Sequence, residues 1–453
     1  MSDAPLLAGE LDLPIAWRDG EPITRRQYIA DASALAERLP APGAMLNLSS
    51  DRYRFAVGLA AALLRGHASL LPPNHLADTV ARLKARFAGA YALVETGGDG
   101  HGLPSVAHAS AAADTDGVGA IPSIAADLVA AHVLTSGSTG DPVPHAKPWG
   151  LLVRNARAEA RRLAEGIGRT SLDGMALVAT VPPQHMYGFE SSVLIALHGG
   201  AAFAAGRPFY PADVAAALAA VPAPRILVTT PFHLKAVLDA GIGQPPLALV
   251  VCATAPLAPQ LAARAEQSLR APLVEIYGCT EAGQVATRRT TSGPEWRTFD
   301  GLRLSGDGSE ASVSGGHVPQ ATVLADVLEV LDPETFRLLG RSNDLVNVAG
   351  KRSSIGHLNF HLNSIDGVVD GAFWMPPARD DADDAAVTRL IAFVVAPGLS
   401  RRQIHAALRE RVDAAFLPRR IVQVEALPRE PTGKLTAASL AALAAAASTA
   451  DAP

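Results

Sequence analysis

Short apolar segments alternate with segments of helical periodicity along most of this chain. Residues 44–50, 68–71 and 91–95 are short and mainly apolar, while residues 54–65 and 76–87 place apolar side chains at helical spacing. The alternation continues to about residue 252. Strands separated by helices pair in parallel sheets, so the pattern predicts an α/β fold. Further helices are predicted at 149–166, 191–197 and 400–416.

The pattern changes in the last third of the chain. Residues 297–337 carry short strand signals separated by Gly-Gly and Asp-Pro turns, and the chain from residue 344 onward has strand and helix signals of its own. At 453 residues, the chain is too long to fold around one hydrophobic core of ordinary size. We therefore predict a large N-terminal domain of parallel α/β sheets plus a small β subdomain (1–340), a hinge (341–344), and a small mobile α+β C-terminal domain (345–453).

Composition excludes several classes of function. The formal net charge is −5, and no basic run or aromatic-interleaved basic stripe is present, so we expect no nucleic-acid partner. No stretch is long and apolar enough to predict a membrane span, and the first residues lack the basic region of a secretory signal. The two cysteines form neither a disulfide framework nor a zinc motif. These features favour the reduced environment of the cytoplasm.

A loop rich in Ser, Thr and Gly follows the apolar run 130–134. Glycines let backbone N–H groups approach an anion closely, and hydroxyls add short donors, so a polyphosphate is a suitable ligand. The loop lacks the closing Gly-Lys-Ser/Thr of a Walker A motif and the Gly-x-Gly-x-x-Gly of a dinucleotide turn. A flexible Ser/Gly loop is the alternative interpretation. The predicted phosphate-binding residues are Thr135, Ser136, Gly137, Ser138, Thr139 and Gly140.

Three later segments, together with this loop, carry a family resemblance. Tyr-Gly-Cys-Thr-Glu at 277–281 follows the loop, then Gly-Arg-Ser-Asn-Asp at 340–344 leading to Gly-Lys-Arg at 350–352, and finally Leu-Pro-Arg-Glu-Pro-Thr-Gly-Lys-Leu at 427–435. With the loop, they resemble the core motifs of the adenylate-forming superfamily, which includes acyl-CoA synthetases, aryl-acid ligases and adenylation domains. The resemblance covers nearly the whole chain.

The resemblance implies a reaction in two halves. A carboxylate attacks the α-phosphate of ATP, bound with Mg²⁺, to give an acyl-adenylate and pyrophosphate, and a thiol then takes the acyl group. Tyr277 and Gly278 would face the adenine, whose other side would lie against the backbone of Ala253, Thr254 and Ala255. Thr280 would contact the α-phosphate, and Glu281 would hold Mg²⁺. Asp326 would bind the ribose hydroxyls, and Arg341 would reach the ribose or a phosphate.

Lys434 is the residue that the resemblance places on the reacting atoms. It would bridge the carboxylate and the α-phosphate during adenylation, where a point charge on a flexible stem stabilises developing charge. The chain has only five lysines, which favours a role for one at a motif position. Rotation of the small domain about Asn343 would then move Lys434 away from the reacting atoms and bring Gly350 and Lys351 to a thiol channel.

The acid pocket is expected around the segment Pro-Pro-Gln-His-Met-Tyr-Gly at 182–188. His185 would lie near the carboxylate, although a hydrogen-bonded core histidine is the alternative. The Phe-Asp dipeptide that holds an amino acid's amino group is missing, so an amino acid is disfavoured. His185, Tyr187 and Gln284 favour an aryl acid such as a hydroxybenzoate over a short- or medium-chain acyl acid. The predicted pocket residues are Met186, Tyr187, Gly188, Phe189, Cys279, Ala282, Gly283 and Gln284.

Departures from the family pattern leave alternatives open. The phosphate loop continues with Val143 where a lysine is common, and only Lys147 is available nearby to replace that charge. Ala325 stands where the family has glycine. A catalytically weak nucleotide-binding interaction protein would fit these changes. The sequence also leaves open an enzyme that stops at the adenylate or transfers it to a non-thiol acceptor. For a thiol acceptor, the resemblance implies CoA or the phosphopantetheine of an acyl carrier protein.

Overall fold

The computed structural model describes residues 3–40, 43–72, 74–109, 112–136, 142–341, 345–348, 351–376, 390–429, 435 and 437–450. Its strands form two large sheets and several small ones. In chain order the strands are β1 (Ala4–Pro5), β2 (Pro14–Arg18), β3 (Glu21–Thr24), β4 (Ala44–Asn47), β5 (Ala68–Leu71), β6 (Tyr91–Val94), β7 (Ser105–Ala107), β8 (Ser123–Ile124), β9 (Val129–Ser136), β10 (Pro142–Pro148), β11 (Ala176–Ala179), β12 (Ala202–Ala204), β13 (Arg225–Thr229), β14 (Leu249–Cys252), β15 (Leu273–Cys279), β16 (Gly283–Arg288), β17 (Glu295–Thr298), β18 (Leu302–Ser305), β19 (Ser312–Gly315), β20 (Val318–Val323), β21 (Asp326–Asp332), β22 (Thr335–Arg341), β23 (Leu345–Val348), β24 (Lys351–Ser354), β25 (Asp370–Trp374), β26 (Ile391–Val395) and β27 (Arg420–Gln423).

Helices connect most of the parallel strands. A π-helical turn at Phe189–Leu194 joins two short α-helices, and 3₁₀ turns lie at Thr290–Ser292 and Ala414–Phe416. The α-helices are α1 (Arg25–Arg38), α2 (Arg52–Leu64), α3 (Ala77–Arg86), α4 (Trp149–Gly166), α5 (Met186–Gly188), α6 (Ile195–Gly199), α7 (Pro211–Ala219), α8 (Pro231–Asp239), α9 (Pro259–Leu269), α10 (Ile355–Asn363), α11 (Arg401–Arg409) and α12 (Ala437–Ala450).

The two large sheets make up most of the N-terminal part. One has six strands in the order β10-β9-β5-β4-β6-β7, all parallel except for the antiparallel pair β9–β10. The other has eleven strands in the order β21-β22-β17-β16-β15-β14-β13-β11-β12-β2-β3. Its parallel centre runs from β15 to β2 and consists of continuous apolar strands, as expected for a sheet buried on both faces.

The eleven-stranded sheet changes from parallel to antiparallel pairing at β15 and β16. These strands form a hairpin whose register shifts between Tyr277 and Gly278. The antiparallel pairing then continues through β17 and β22 to β21. The change of pairing places the Tyr-Gly-Cys-Thr-Glu segment at the boundary between the parallel and antiparallel parts of this sheet, where the register of the ladder shifts.

The smaller units follow in sequence. Strands β18, β19 and β20 form a separate antiparallel sheet, which corresponds to the predicted β subdomain. Beyond it, β25, β26 and β27 form a three-stranded sheet with its own apolar core that includes Phe373 and Ile404. Leu440 and Ala444 of α12 pack against the other face of that sheet, around Phe393. The architecture confirms the predicted fold class.

Several element predictions can be compared with the structure directly. The helix predicted at 149–166 is confirmed as α4, with both ends at the predicted residues. The helix predicted at 191–197 is confirmed as helical throughout, with its first part in the π-helical turn and its last part in α6. The helix predicted at 400–416 was too long: α11 ends at Arg409, and the Asp413 side chain accepts from the backbone N–H of Ala415 to begin a 3₁₀ turn.

Helix α4 is anchored at its N-terminus by backbone contacts. The N–H groups of Trp149 and Gly150 donate to the carbonyls of Leu128 and Ala126. A Cβ at Gly150 would lie 2.8 Å from the Cβ of Ala126, so glycine permits this close approach. The contact fixes the start of α4 directly after β10 and thereby positions the two buried polar side chains on its inner face, Asn155 and Glu159.

Candidate active site

Tyr277 and Asp326 meet at the antiparallel side of the large sheet. The Tyr277 hydroxyl donates to Asp326 Oδ2 at 2.8 Å, and the two residues are 7% and 9% exposed. The tyrosine ring packs edge-on against Phe336 and tilted against Trp296, which fixes its plane. In the antiparallel ladder of β21 and β22, the backbone of Asp326 lies opposite that of Arg341. The fold thus brings together three residues predicted to contact the nucleoside.

The segment predicted to line the other adenine face follows β14, the neighbour of β15. Ala253 is buried, whereas Thr254 and Ala255 are exposed. Thr254 has a φ of +85°, in the left-handed region that a β-branched residue rarely occupies. Backbone conformations of this kind cost on the order of 1–3 kcal/mol and cluster at functional sites. The strain at Thr254 therefore marks this turn as a candidate part of the nucleotide site.

The turn between β15 and β16 is shaped by two glycines. A Cβ at Gly278 would lie 2.4 Å from the carbonyl oxygen of Gly283, so no other residue fits there without movement. Gly283 has a φ of +79°, which glycine adopts freely. Cys279 Sγ accepts a hydrogen bond from the Ala282 N–H at 3.5 Å. The result is a tight turn that presents Thr280 and Glu281.

Lys147 is hydrogen-bonded to the backbone of this turn. Its ammonium group is buried and donates to the carbonyl oxygens of Thr280 and, at 3.0 Å, of Glu281. In the β9–β10 hairpin, Val143 lies opposite Thr135 and Lys147 opposite Ala131, farther from the phosphate loop. The described contacts of Lys147 are therefore with the turn that carries Thr280 and Glu281.

Glu281 is suited to a metal ion shared with phosphate oxygens. Its side chain is 49% exposed, and Oε1 lies 3.8 Å from His145 Nε2. Within the described ranges, no three His, Cys, Asp or Glu side chains cluster as a metal site would require. Mg²⁺ is commonly held by one or two carboxylates together with substrate phosphates and water, so a single accessible carboxylate fits that ion.

A cavity of about 210 Å³ lies behind the turn. Three of the predicted pocket residues line it, namely Met186, Ala282 and Gly283. Sequence reasoning missed most of the polar residues in its walls. The missed residues include Asn155, Glu190 and His317, whereas Lys147 and Glu281, which the sequence related to the phosphates and to Mg²⁺, also line the cavity.

The other predicted pocket residues contact the protein instead of this cavity. The Tyr187 hydroxyl donates to the carbonyls of Thr229 and Val251, at 3.2 and 3.0 Å. Gln284 Nε2 donates to Ser191 Oγ at 2.7 Å. Phe189 is fully buried edge-on against Phe55. Gly188, Cys279 and His185 do not line the cavity either. A Cβ at Gly188 would strike the Pro182 carbonyl. Cys279 and His185 are half-buried, and the His185 carbonyl accepts from the Phe189 N–H.

The π-helical turn positions the helical side of the cavity. Arg52, fully buried, donates to Ser192 Oγ at 3.0 Å and to the carbonyls of Ala179 and Val181. Burial lowers the pKa of Arg52 to about 10, which leaves the guanidinium charged at neutral pH. Single π turns of this kind are frequent at functional sites. Arg52 thus fixes the turn from which Glu190 projects.

Two buried carboxyl groups lie close together beside the cavity. Burial raises the pKa of Glu190 to about 8, although the positive charge of Lys147 lowers it and the neighbouring Glu159 raises it further. Burial also raises the pKa of Glu159 to about 7, against the lowering influence of Ser191 and Gln284. The sequence signal that could have indicated a buried carboxyl group was a single glutamate, Glu190, within an apolar helical segment.

Replacing Glu159 with glutamine is expected to make stability less sensitive to pH. The folded carboxyl holds its proton to about pH 7, whereas the unfolded one releases it near 4.5. Rising pH through that window therefore destabilises the wild type, by about 3 kcal/mol once both forms are ionised. Glutamine cannot ionise, so E159Q should gain thermal stability relative to wild type between about pH 5 and about pH 8.

Thermal unfolding of both proteins at the two pH values measures this effect. Glu165→Gln is the matched control, since Glu165 lies on the same helix with a side chain that is 58% exposed. Equal pH dependence of wild type and E159Q would contradict a buried, proton-holding Glu159.

Some predicted residues lie outside the described residues. These are Gly137, Ser138, Thr139, Gly140, Asn343, Gly350 and Lys434. Thr135 and Ser136 form the end of β9, and Lys351 begins β24. Their predicted roles stay predictions.

The family model for the AMP-binding enzyme matches residues 94–340, more than half of the chain. The chain belongs to the AMP-binding enzyme family. The match includes β9, the cavity-lining residues, the 277–281 segment and Asp326. It therefore agrees with the adenylate-forming resemblance inferred from the motifs.

Individual relatives agree with the family assignment. This AMP-binding enzyme is 30% identical over 282 residues to a 4-coumarate–CoA ligase of Rhodobacter capsulatus, covering 62% of this chain and 67% of the relative. Its fold resembles the o-succinylbenzoate CoA synthetase of Bacillus subtilis solved with an acyl-adenylate (TM-score 0.75, 17% identity, 97% and 98% coverage). It also resembles the amide bond synthetase McbA of Marinactinospora thermotolerans (TM-score 0.76, 18% identity, 95% and 97% coverage).

In the described part of the chain, no helix of this AMP-binding enzyme combines the length and the apolar character that crossing a membrane requires.

Proposed function

We propose that this protein is an ATP- and Mg²⁺-dependent acid–thiol ligase. It adenylates a small carboxylic acid, with an aryl acid such as a hydroxybenzoate favoured, and transfers the acyl group to CoA or to the phosphopantetheine of a carrier protein. The observation that carries the proposal is the β15–β16 turn, which has the Tyr277–Asp326 pair at one end and the 210 Å³ cavity at the other. We place this reaction in the cytoplasm.

The residues divide the adenylation step between them. Tyr277 and Asp326 hold the nucleoside, with Arg341 and the loop from Thr135 adding donors for ribose and phosphates. Thr280 contacts the α-phosphate. Glu281 holds Mg²⁺, which neutralises phosphate charge when bound. Lys147 acts as a positioning residue by fixing the carbonyls of Thr280 and Glu281, and Lys434 stabilises the charge that develops on the reacting groups.

The size of the cavity supports a small acid. At about 210 Å³, it lies below the roughly 300–1,000 Å³ of pockets for drug-sized ligands. Such a space suits one ring or a short acyl chain better than a long chain. A short- or medium-chain acid is accordingly the second candidate substrate, and the polar walls make it the less favoured one.

The thiol step requires a different arrangement of the small domain. We propose a hinge at 341–344, with Asn343 as its pivot and Gly350 and Lys351 facing the thiol channel. The small domain contacts the large one near this hinge: Ser354 Oγ donates to the Leu339 carbonyl at 2.7 Å. His185 gates the channel in this scheme.

Product analysis tests the proposed function. Purified protein is incubated with ATP, Mg²⁺ and 4-hydroxybenzoate, and then with CoA or a phosphopantetheinylated carrier protein in parallel. Mass spectrometry should detect the aryl-adenylate first and a thioester on one of the two thiols afterwards. Adenylate without either thioester would indicate a non-thiol acceptor. ATP binding with no adenylate from any acid would favour the catalytically weak nucleotide-binding protein.

A further inference from the structure

Three polar side chains form one wall of the cavity behind the turn, and we call them the Glu190 cluster: Glu190, Asn155 and Lys147. Asn155 Nδ2 donates to Glu190 Oε1 at 2.5 Å. Lys147 lies close enough for its charge to affect the ionisation of Glu190. The exposed fractions are 2% for Glu190, 2% for Asn155 and 8% for Lys147. All three line the cavity.

The cluster is costly for folding alone. Burying a carboxyl, an amide and an ammonium group removes hydration that protein partners must replace, and apolar residues of similar volume are often as stable. In addition, Asn155 Oδ1 is buried and accepts no hydrogen bond among the described residues. Buried polar groups with a spare acceptor at a cavity wall are candidates for binding a ligand.

The donor and acceptor pattern of the cluster defines what it can bind. Within the described part of the chain, Lys147 uses two of its three N–H donors on the Thr280 and Glu281 carbonyls, which leaves one for a ligand. Glu190 and Asn155 offer acceptors. A hydroxyl group both donates and accepts, so it can satisfy both sides at once. A cationic amine would face the Lys147 charge, and an apolar group would leave the spare acceptor of Asn155 without a hydrogen bond.

The position of the cluster relates it to the reacting end of the acid. Glu281 and Ala282 of the β15–β16 turn line the same cavity, and Lys147 bonds to that turn directly. An acid with its carboxylate near Thr280 would therefore extend into the cavity. Its far end would meet the side chains on α4 and the π-helical turn.

We propose that the Glu190 cluster recognises a hydroxyl group on the part of the acid remote from its carboxylate, and so selects hydroxylated acids over their unsubstituted analogues. The inference rests on the proposed function and identifies the specificity-determining residues of that reaction. It also replaces the sequence argument from Tyr187 and Gln284, whose polar groups are bonded to protein atoms.

Kinetics with paired acids test the proposal. Acid-dependent pyrophosphate release is measured for 4-hydroxybenzoate, 3-hydroxybenzoate and benzoate with wild type, E190A and E190Q. Wild type should prefer one hydroxylated acid over benzoate by about 100-fold or more in kcat/KM, since unpaired buried polar groups penalise the analogue. E190A should reduce that ratio at least about tenfold, mainly through KM for the acid, with KM for ATP unchanged. E190Q, which keeps an acceptor, should fall between them.

Glu165→Ala is the matched control because its carboxylate is on α4 and exposed. A preference that stays within about twofold of wild type in folded E190A and E190Q overturns the proposal, as does a wild type that prefers benzoate over both hydroxylated acids. If wild type releases no pyrophosphate with any acid, the proposed function fails. Calorimetric binding of 4-hydroxybenzoate and benzoate then tests the cluster separately: equal affinities overturn it, and a hydroxyl preference lost in E190A supports it.

Discussion

Replacement of Lys434 by alanine is expected to lower acid-dependent pyrophosphate release by about 100- to 1,000-fold, the range seen when one charge-stabilising donor is removed from an active site. The carboxylate and the α-phosphate are both anionic, so their approach requires a positive charge that the nucleotide itself lacks. Among five lysines, Lys434 stands in the motif that the family resemblance assigns to this role.

The substitution should separate the two half-reactions. Transfer to the thiol needs a different orientation of the small domain, so K434A supplied with preformed aryl-adenylate should still form thioester at close to the wild-type rate. Lys84→Ala is the control, because Lys84 is an exposed lysine that donates to the Gly102 carbonyl. If K434A released pyrophosphate within about twofold of wild type, Lys434 would not act in the charge-stabilising step.

Replacement of Asp326 by alanine is expected to raise KM for ATP by at least about 100-fold. Hydrogen bonds to a charged group contribute about 1.5–3 kcal/mol each, and a carboxylate on a ribose diol makes two. The effect should fall on ATP and leave KM for the acid nearly unchanged. Asp326 is nearly buried, so circular dichroism should accompany the kinetics to verify folding.

Tyr277→Phe is the matched variant for this prediction. It removes the hydroxyl that donates to Asp326 but keeps the aromatic ring between Phe336 and Trp296. We expect KM for ATP to rise only about threefold to tenfold, the value of one hydrogen bond. Equal effects of D326A and Y277F would indicate that Asp326 only positions Tyr277 and does not bind the ribose itself.

The residues of the nucleotide half of the candidate site could be predicted from the sequence motifs. Tyr277 and Asp326 are 49 positions apart, yet the motif order placed them together, and the structure joins them by a hydrogen bond. Motifs of this kind succeed because the same backbone turns present the same groups to the same ligand. The boundaries of α4 also followed, since eighteen residues of clear periodicity lie between a proline and a glycine.

The acid half of the site could not be predicted in the same way. Lys147, Asn155 and Glu190 come from a strand, a helix and a π-helical turn, and only their packing makes them neighbours. In isolation, Asn155 and Glu159 look like polar residues of an amphipathic helix, whose buried face becomes evident only when α6 packs on it. Lys147 illustrates the point: sequence distance related it to the phosphate loop, but strand pairing directs its contacts to Thr280 and Glu281.

Pyrophosphate release from ATP and Mg²⁺, measured across a panel of aryl, fatty and amino acids, is the decisive test of the proposed ligase. We predict release that depends on an added acid, is strongest with a hydroxylated aryl acid, and is lost in K434A. ATP binding without release for every acid in the panel would contradict a ligase and favour a nucleotide-binding protein.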